Sequence, residues 1–298
     1  MAARLALVLV LLAMPMAACA PASSTASAPA VTPTLTVGAS PTPEPTPAGD
    51  PSHPVGVIAF GHSGLTGEGT GELYEPLYEN SWATGTSAQV HSVYARLVEV
   101  EPEHAGHVAN TAFGGAPADA LAQQARDALQ RVPFPRLVII STIDNDIRCD
   151  GTDLEHMDAW AQFVRDALDI VSQASPESRI LVVGQFGRPS IPFIKRLVER
   201  EPAIGNSLRG DGICDFYDLD GKLNPDGFHR LTSIINAYEK AQAKVCTEFD
   251  HCVTDGGVRA AYKDTFANFS PDFAHLNVRG QAAEASLIWP VVEKLLGV

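Results

Sequence analysis

The feature that most constrains the fold is a series of short, continuous apolar runs separated by longer amphipathic stretches, which begins near residue 55. The clearest run spans residues 137–143, and similar runs span residues 55–60, 107–112 and 179–184. Continuous apolar runs are typical of strands that are buried on both faces, and strands that alternate with helices form parallel sheets. The pattern therefore predicts an α/β fold in which helices cover both faces of a parallel sheet.

Helical spacing separates and follows these runs. It predicts helices over residues 87–100, 117–131, 153–172, 191–200, 228–246 and 277–296. In an open parallel sheet, ligands bind at the carboxyl ends of the strands, near the switch in strand order. The residues that directly follow the apolar runs are therefore the first candidates for a functional site.

The amino terminus has the features of an export signal. Arg4 precedes an apolar run over residues 5–13, which is too short to span a bilayer. Met16-Ala17-Ala18-Cys19 resembles the bacterial lipobox, so we expect residues 1–18 to be a lipoprotein-type signal peptide and Cys19 to be lipidated. Cleavage at a nearby secretory site, with Cys19 unmodified, is the alternative. The chain is thus predicted to be an exported, cell-surface lipoprotein on the outer face of the bacterial membrane, or secreted.

Residues 19–54 are rich in Pro, Ser, Thr and Ala, and this composition predicts an extended tether ahead of a folded domain over residues 55–298. The 45% hydrophobic content excludes a wholly disordered chain. Asp and Glu number 35 against 21 Lys and Arg, for a net charge of -14, with no basic cluster. Nucleic acid is therefore excluded as a partner, because its binding depends on clustered cations. Nothing in the sequence indicates an oligomeric state.

Residue types needed for acyl transfer follow three of the predicted strands and precede the last predicted helix. They are Ser63, Gly115, Asn145 and, before the helix, Asp272 and His275. A serine hydroxyl needs an adjacent base, which His275 can supply, while Asp272 can hold the imidazole tautomer. A tetrahedral intermediate needs hydrogen-bond donors for its oxyanion, and the amides of Ser63 and Gly115 and the side chain of Asn145 can supply them.

These blocks read Gly61-His62-Ser63, Gly114-Gly115, Asn145-Asp146 and Asp272-Phe273-Ala274-His275. In this order, over residues 55–298, they resemble the SGNH (GDSL) hydrolase family. The resemblance implies a flavodoxin-like, three-layer α/β/α sandwich on a five-stranded parallel sheet. It also implies a serine esterase without cofactor or metal ion, such as an acetylesterase or lipase, with Ser63 as nucleophile, His275 as base and Asp272 as acid. The chain departs from the family pattern at His62, where the family has Asp, and at Ile143, where it has Gly.

The sequence constrains the identity of the substrate less than it constrains the reaction. A small ester, an acylated carbohydrate and a lipid all remain open, as does a catalytically inactive surface lipoprotein that only binds its ligand. The loop after Ser63 carries Tyr74, Tyr78 and Trp82, and we expect these side chains and His62 to wall the substrate pocket. The alternative is a surface excursion whose aromatic residues cover the first helix.

Four cysteines follow Cys19, and export to an oxidising compartment predicts that they form two disulfides. Cys246 and Cys252 can close a short loop after the long helix. Cys149 and Cys214 follow the third and fourth strands, so they are expected to meet at one sheet edge. Asp218 and Asp220 lie in a loop that could offer only an irregular calcium site, because its spacing is not that of an EF-hand, and no metal site is predicted.

Overall fold

The computed structural model describes residues 49–263 and 265–298. The predicted signal peptide, Cys19 and most of the predicted tether lie outside the described residues. From residue 49 onward the described chain belongs to one compact unit. None of its described helices is both long and apolar enough to cross a membrane.

The centre of the domain is a five-stranded sheet in which every strand pair is parallel. The strand order is β2-β1-β3-β4-β5, with β1 at Val57–Gly61, β2 at Val108–Asn110, β3 at Leu137–Ser141, β4 at Arg179–Val183 and β5 at Cys252–Thr254. The predicted parallel α/β sheet is confirmed. The four apolar runs did not reveal β5, because this strand has three residues and none of them is fully buried.

Helices cover both faces of the sheet. They are α1 Val93–Val100, α2 Leu121–Arg131, α3 Asp153–Ala174, α4 Ile191–Arg200, α5 Pro202–Ser207, α6 Pro225–Cys246 and α7 Val278–Leu296. The predicted helix over residues 87–100 starts only at Val93, because the Ser92 hydroxyl accepts a hydrogen bond from the Ala95 amide and caps the helix there. Conversely, α6 starts before the predicted residue 228, because Asn224 caps it and Pro225 fits the first turn.

Side chains of β3 alternate between two apolar cores, as the two-residue period of a strand requires. Val138 and Ile140 pack into the core formed with α2, α3 and α6, whereas Leu137 and Ile139 pack into the core formed with α1 and α7. All four side chains are fully buried. The result is the three-layer α/β/α sandwich that the sequence predicted.

Both predicted disulfides are present, Cys149–Cys214 and Cys246–Cys252. The first joins the segment after β3 to the segment that precedes α6, across 65 residues of sequence. Cys149 lies four residues after Asn145, so this bond anchors the loop that carries the candidate oxyanion residue. The second bond links the end of α6 to the start of β5.

Candidate active site

Ser63, His275 and Asp272 form one hydrogen-bonded chain at the carboxyl end of β1. Ser63 Oγ lies 3.0 Å from His275 Nε2, although the two residues are 212 positions apart. On the other side of the ring, His275 Nδ1 lies 2.7 Å from Asp272 Oδ2. This is the order that a nucleophile, a base and an orienting acid need. The three residues predicted from the sequence are thus brought together.

The loop before α7 is organised by the carboxylate of Asp272. Its Oδ1 accepts hydrogen bonds from the backbone amides of Ala274 and His275, at 2.9 and 3.0 Å, and from the Ser270 hydroxyl. Because Oδ1 holds the loop while Oδ2 meets the imidazole, the position of Asp272 is set independently of substrate. Asn277 then caps α7 through the Gly280 amide.

Electrostatics in this loop favour an ionised acid beside a basic imidazole. Burial would raise the pKa of Asp272, but hydrogen bonds from His275, Ser270 and two backbone amides hold that pKa far below its ordinary value. Burial lowers the pKa of His275, but its hydrogen bond with Asp272 and the negative charges of Glu68, Asp272 and Asp144 raise the pKa above its ordinary value. His275 therefore binds a proton at a higher pH than a free imidazole does.

The predicted oxyanion donors lie on the loops that follow β1, β2 and β3. Among the residues that the structure describes, neither the Ser63 amide nor the Gly115 amide donates to an acceptor. Asn145 Nδ2 donates to the Ala116 carbonyl at 3.1 Å, which fixes this amide beside the Gly115 loop and leaves its second N–H unused. Gly115 and Asn145 are both exposed to solvent, so a bound ester can reach them.

The loop that carries Asn145 is fixed by its neighbours. Asp146 accepts a hydrogen bond from the Ala118 amide at 3.0 Å, and the Tyr238 hydroxyl donates to the Asp146 carbonyl at 2.9 Å. The predicted strand over residues 137–143 ends at Ser141, and Ile143 takes a φ of +106° as the chain turns. This is the position where the family pattern has Gly, the residue that adopts such a φ at least cost.

His62 does not wall a pocket, contrary to the sequence prediction. It is 4% exposed, because its ring turns back under the nucleophile turn, where Nδ1 accepts a hydrogen bond from the Gly64 amide at 3.1 Å. Its Nε2 lies 3.2 Å from Ser141 Oγ and 3.3 Å from Asp144 Oδ2. His62 therefore connects the turn that carries Ser63 to the end of β3, and it does not face a bound substrate.

Trp82 does not wall a pocket either. It is fully buried in the core between the sheet, α1 and α7, and its Nε1 donates to the Gly64 carbonyl at 2.9 Å. Tyr74 is 64% exposed and Tyr78 is 39% exposed. The Tyr78 hydroxyl donates to the Ala112 carbonyl at 2.8 Å, and the ring lines a cavity of about 570 Å³ along β2. Of the four residues predicted to form the wall, Tyr78 is the one that lines this cavity.

Two charged residues at the site were not found by sequence reasoning. Glu68 is 6% exposed, and its Oε1 lies 3.5 Å from His275 Nε2. Arg259 is 3% exposed at the carboxyl ends of β3 and β4, where it pairs with Glu284 at 2.5 Å and donates to Ser141 Oγ at 3.2 Å and to the Gly184 carbonyl. Gly67 and Gly69, on either side of Glu68, are the signal that could have indicated a tightly turned, functional segment. Gly256 and Gly257, which shortly precede Arg259 and also have positive φ values, are a similar signal.

No group of three or more His, Cys, Asp or Glu side chains within residues 49–263 and 265–298 could hold a metal ion. In the loop considered for calcium, Asp218 Oδ1 accepts a hydrogen bond from the Lys222 amide at 2.8 Å. This carboxylate therefore serves the turn of its own loop.

No protein-family model and no curated protein matches this sequence. Among solved structures, the lipase Lip_vut3 from a goat rumen metagenome is 13% identical, with a TM-score of 0.51 over 81% of this chain and 97% of that one. A GDSL-like lipase from Parabacteroides merdae is 16% identical, with a TM-score of 0.48 over 85% and 98% of the two chains. The acetyl xylan esterase AlAXEase is 17% identical, with a TM-score of 0.46 over 80% and 100%.

At these sequence identities the likeness concerns only the fold. Of the three structures, the lipase Lip_vut3 carries the comparison, because its TM-score of 0.51 is above 0.5. In this chain the fold consists of five parallel strands with helical layers on both faces. The chain therefore has the three-layer fold of the SGNH (GDSL) hydrolases, the family that its four sequence blocks resemble.

Proposed function

We propose that this protein is a serine esterase that hydrolyses a carboxylic ester through an acyl-enzyme on Ser63, without a metal ion or cofactor. The observation that carries the proposal is the continuous chain from Ser63 through His275 to Asp272, with distances of 3.0 and 2.7 Å. The unused amides of Ser63 and Gly115 support it further, because ester hydrolysis places a negative oxygen beside the nucleophile.

In the first half of the reaction, Ser63 Oγ attacks the ester carbonyl carbon and His275 Nε2 takes the hydroxyl proton. The carbonyl oxygen becomes an oxyanion and accepts hydrogen bonds from the Ser63 and Gly115 amides and from Asn145. Asp272 stabilises the imidazolium through Nδ1. When the tetrahedral intermediate collapses, His275 gives its proton to the leaving alcohol oxygen, and the acyl group stays on Ser63.

In the second half, water takes the place of the alcohol. His275 Nε2 removes a proton from water, and the resulting hydroxide attacks the acyl carbonyl carbon. The same donors hold the second oxyanion. Collapse breaks the bond to Ser63 Oγ, which receives the proton back from His275, and the carboxylic acid leaves.

The test is turnover of acyl esters of graded chain length and of acetylated sugars by wild-type protein and Ser63→Ala. We expect Ser63-dependent hydrolysis of at least one ester class. Ser52→Ala is the matched control, because Ser52 lies near Arg136 and Arg179 at the opposite end of the sheet. A serine-directed phosphonate should label Ser63 in the wild type. Equal turnover by wild type and Ser63→Ala would contradict the assignment, and a wild type without turnover would favour the inactive binding lipoprotein.

We also propose that the chain is exported and lipidated at Cys19. The lipobox-like Met16-Ala17-Ala18-Cys19 and the Pro-rich segment after it support this proposal. Mass spectrometry of the mature amino terminus is the test, with a diacylglyceryl-modified Cys19 as the expected first residue. Cys19→Ser should release the protein from the membrane fraction. Any other mature amino terminus would contradict lipidation.

A further inference from the structure

Glu68 is held against the candidate active site by the backbone on either side of it. Gly67 and Gly69 have φ values of +71° and +88°, which favour glycine. A Cβ on Gly69 would come within 2.7 Å of His275 Cβ, so this turn lies directly on the base. The Glu68 amide donates to the Thr66 hydroxyl at 3.2 Å. Glu68 is therefore placed by its turn and not by a partner for its side chain.

The carboxylate of Glu68 has no hydrogen-bond donor among the described residues. Oε1 lies 3.5 Å from His275 Nε2, and Oε2 would lie 3.0 Å from a Cβ placed on Gly114. The side chain is 7% exposed. Neither oxygen is among the fully buried polar atoms without a partner, so the carboxylate remains accessible to a bound ligand. The two-step mechanism above assigns this group no role, and a donor brought by the substrate would give it a hydrogen bond.

The position of Glu68 identifies which half of the substrate it meets. His275 Nε2 gives its proton to the leaving alcohol oxygen, which must lie within about 3.2 Å of that nitrogen. Oε1 of Glu68 lies 3.5 Å from the same nitrogen. A hydroxyl on the carbon adjacent to the one that bears the ester oxygen can therefore reach Glu68. Because an ionised carboxylate only accepts hydrogen bonds, the neighbouring group has to be a donor.

The negative charges around the site also favour a substrate alcohol that donates hydrogen bonds. A carboxylate beside Gly114 opposes the negative charge of the tetrahedral intermediate, and a hydroxyl that donates to the carboxylate weakens this repulsion. The same loop exposes Glu72, Glu75 and Glu79, so an alcohol that carries a phosphate meets like charge on entry. The surroundings of Glu68 therefore favour a neutral alcohol with several hydroxyl groups.

We propose that Glu68 selects the alcohol of the ester by accepting a hydrogen bond from a hydroxyl on the carbon adjacent to the acylated one, so that partially acylated neutral polyols are the preferred substrates. This inference rests on the proposed esterase function. It assigns Glu68 a specificity role in addition to the residues that carry out the acyl transfer.

The test compares glycerol monoacetate, which has the neighbouring hydroxyl, with propyl acetate, which lacks it, and with acetylated glycerol phosphate, which is anionic. In wild-type protein we expect glycerol monoacetate to exceed propyl acetate in kcat/KM by roughly 10- to 100-fold, the effect of one hydrogen bond to a charged group. Acetylated glycerol phosphate should be the poorest of the three. Glu68→Met, which has no acceptor of comparable strength, should hydrolyse glycerol monoacetate and propyl acetate equally well.

Glu75→Met is the matched control, because Glu75 is an exposed glutamate on the same loop, and it should keep the wild-type preference. Phosphonate labelling of Ser63 counts correctly folded sites in each variant. Glu68→Gln provides a second readout, because it removes one of the negative charges that face His275 and leaves Asp272 and Asp144. The acid limb of its pH profile on propyl acetate should move to lower pH, whereas a folding defect would lower activity at every pH.

A Ser63-dependent wild type without preference for glycerol monoacetate, or a Glu68→Met variant that keeps the preference, would overturn the role of Glu68 and leave the esterase function standing. An unchanged acid limb in Glu68→Gln would count against it in the same way. A wild type with no Ser63-dependent turnover would overturn both.

Discussion

The two disulfides should differ in what they contribute to stability, because they close loops of very different length. Cys149–Cys214 spans 65 residues, and Cys246–Cys252 spans 6. If a disulfide acts mainly by restricting the unfolded chain, these separations correspond to about 4 and about 2 kcal/mol of unfolding free energy at 25 °C. Replacing both members of each pair by Ala should therefore destabilise the Cys149/Cys214 variant by about 2 kcal/mol more than the Cys246/Cys252 variant.

The measurement is urea unfolding of both variants and the wild type under non-reducing conditions, with the slope of each transition checked for agreement. Each variant lacks two sulfur atoms, so the short-loop variant controls for their removal. Because Cys149 anchors the loop of Asn145, the long-loop variant should also lose kcat. Equal destabilisation, or a larger loss for Cys246/Cys252, would show that loop entropy does not set the contribution of these bonds.

Three further outcomes are expected. Asn145→Ala removes one oxyanion donor and should lower kcat by roughly 10²–10³, with a smaller change in KM, in steady-state kinetics. Because the pKa of His275 is raised and the base must be neutral, kcat/KM should fall as the pH drops through a value above 6.5, the ordinary pKa of an imidazole. A pH profile with its midpoint below 6.5 would contradict this electrostatic reasoning. Burial raises the pKa of Glu284 to about 7, so folding favours its neutral form. The resulting gain in stability is complete below the ordinary pKa of about 4.5 and should be lost as the pH rises through 7. Urea unfolding at pH 5 and pH 8 should show this loss in the wild type and a smaller loss in Glu284→Gln.

The sequence by itself determined the architecture and the order of the site residues. Short continuous apolar runs that alternate with longer amphipathic stretches are typical of strands covered on both faces, which is why the sheet and its helical layers could be predicted. The carboxyl ends of parallel strands meet at one edge of the sheet, and this rule predicts from the sequence that Ser63, Gly115 and Asn145 lie close together. The pairing of Cys149 with Cys214 followed from the same edge.

Only the tertiary structure decided which way the loop side chains face. Trp82 and His62 looked like pocket walls beside the nucleophile, but the Gly64 carbonyl and amide draw both of them beneath its turn. Neither Glu68 nor Arg259 was singled out from the sequence, yet Glu68 lies 3.5 Å from His275 and Arg259 lies at the carboxyl end of β3. Periodicity reports the environment of residues within one helix or strand. The orientation of a loop side chain depends on contacts with segments far away in sequence, and these contacts exist only after the chain has folded.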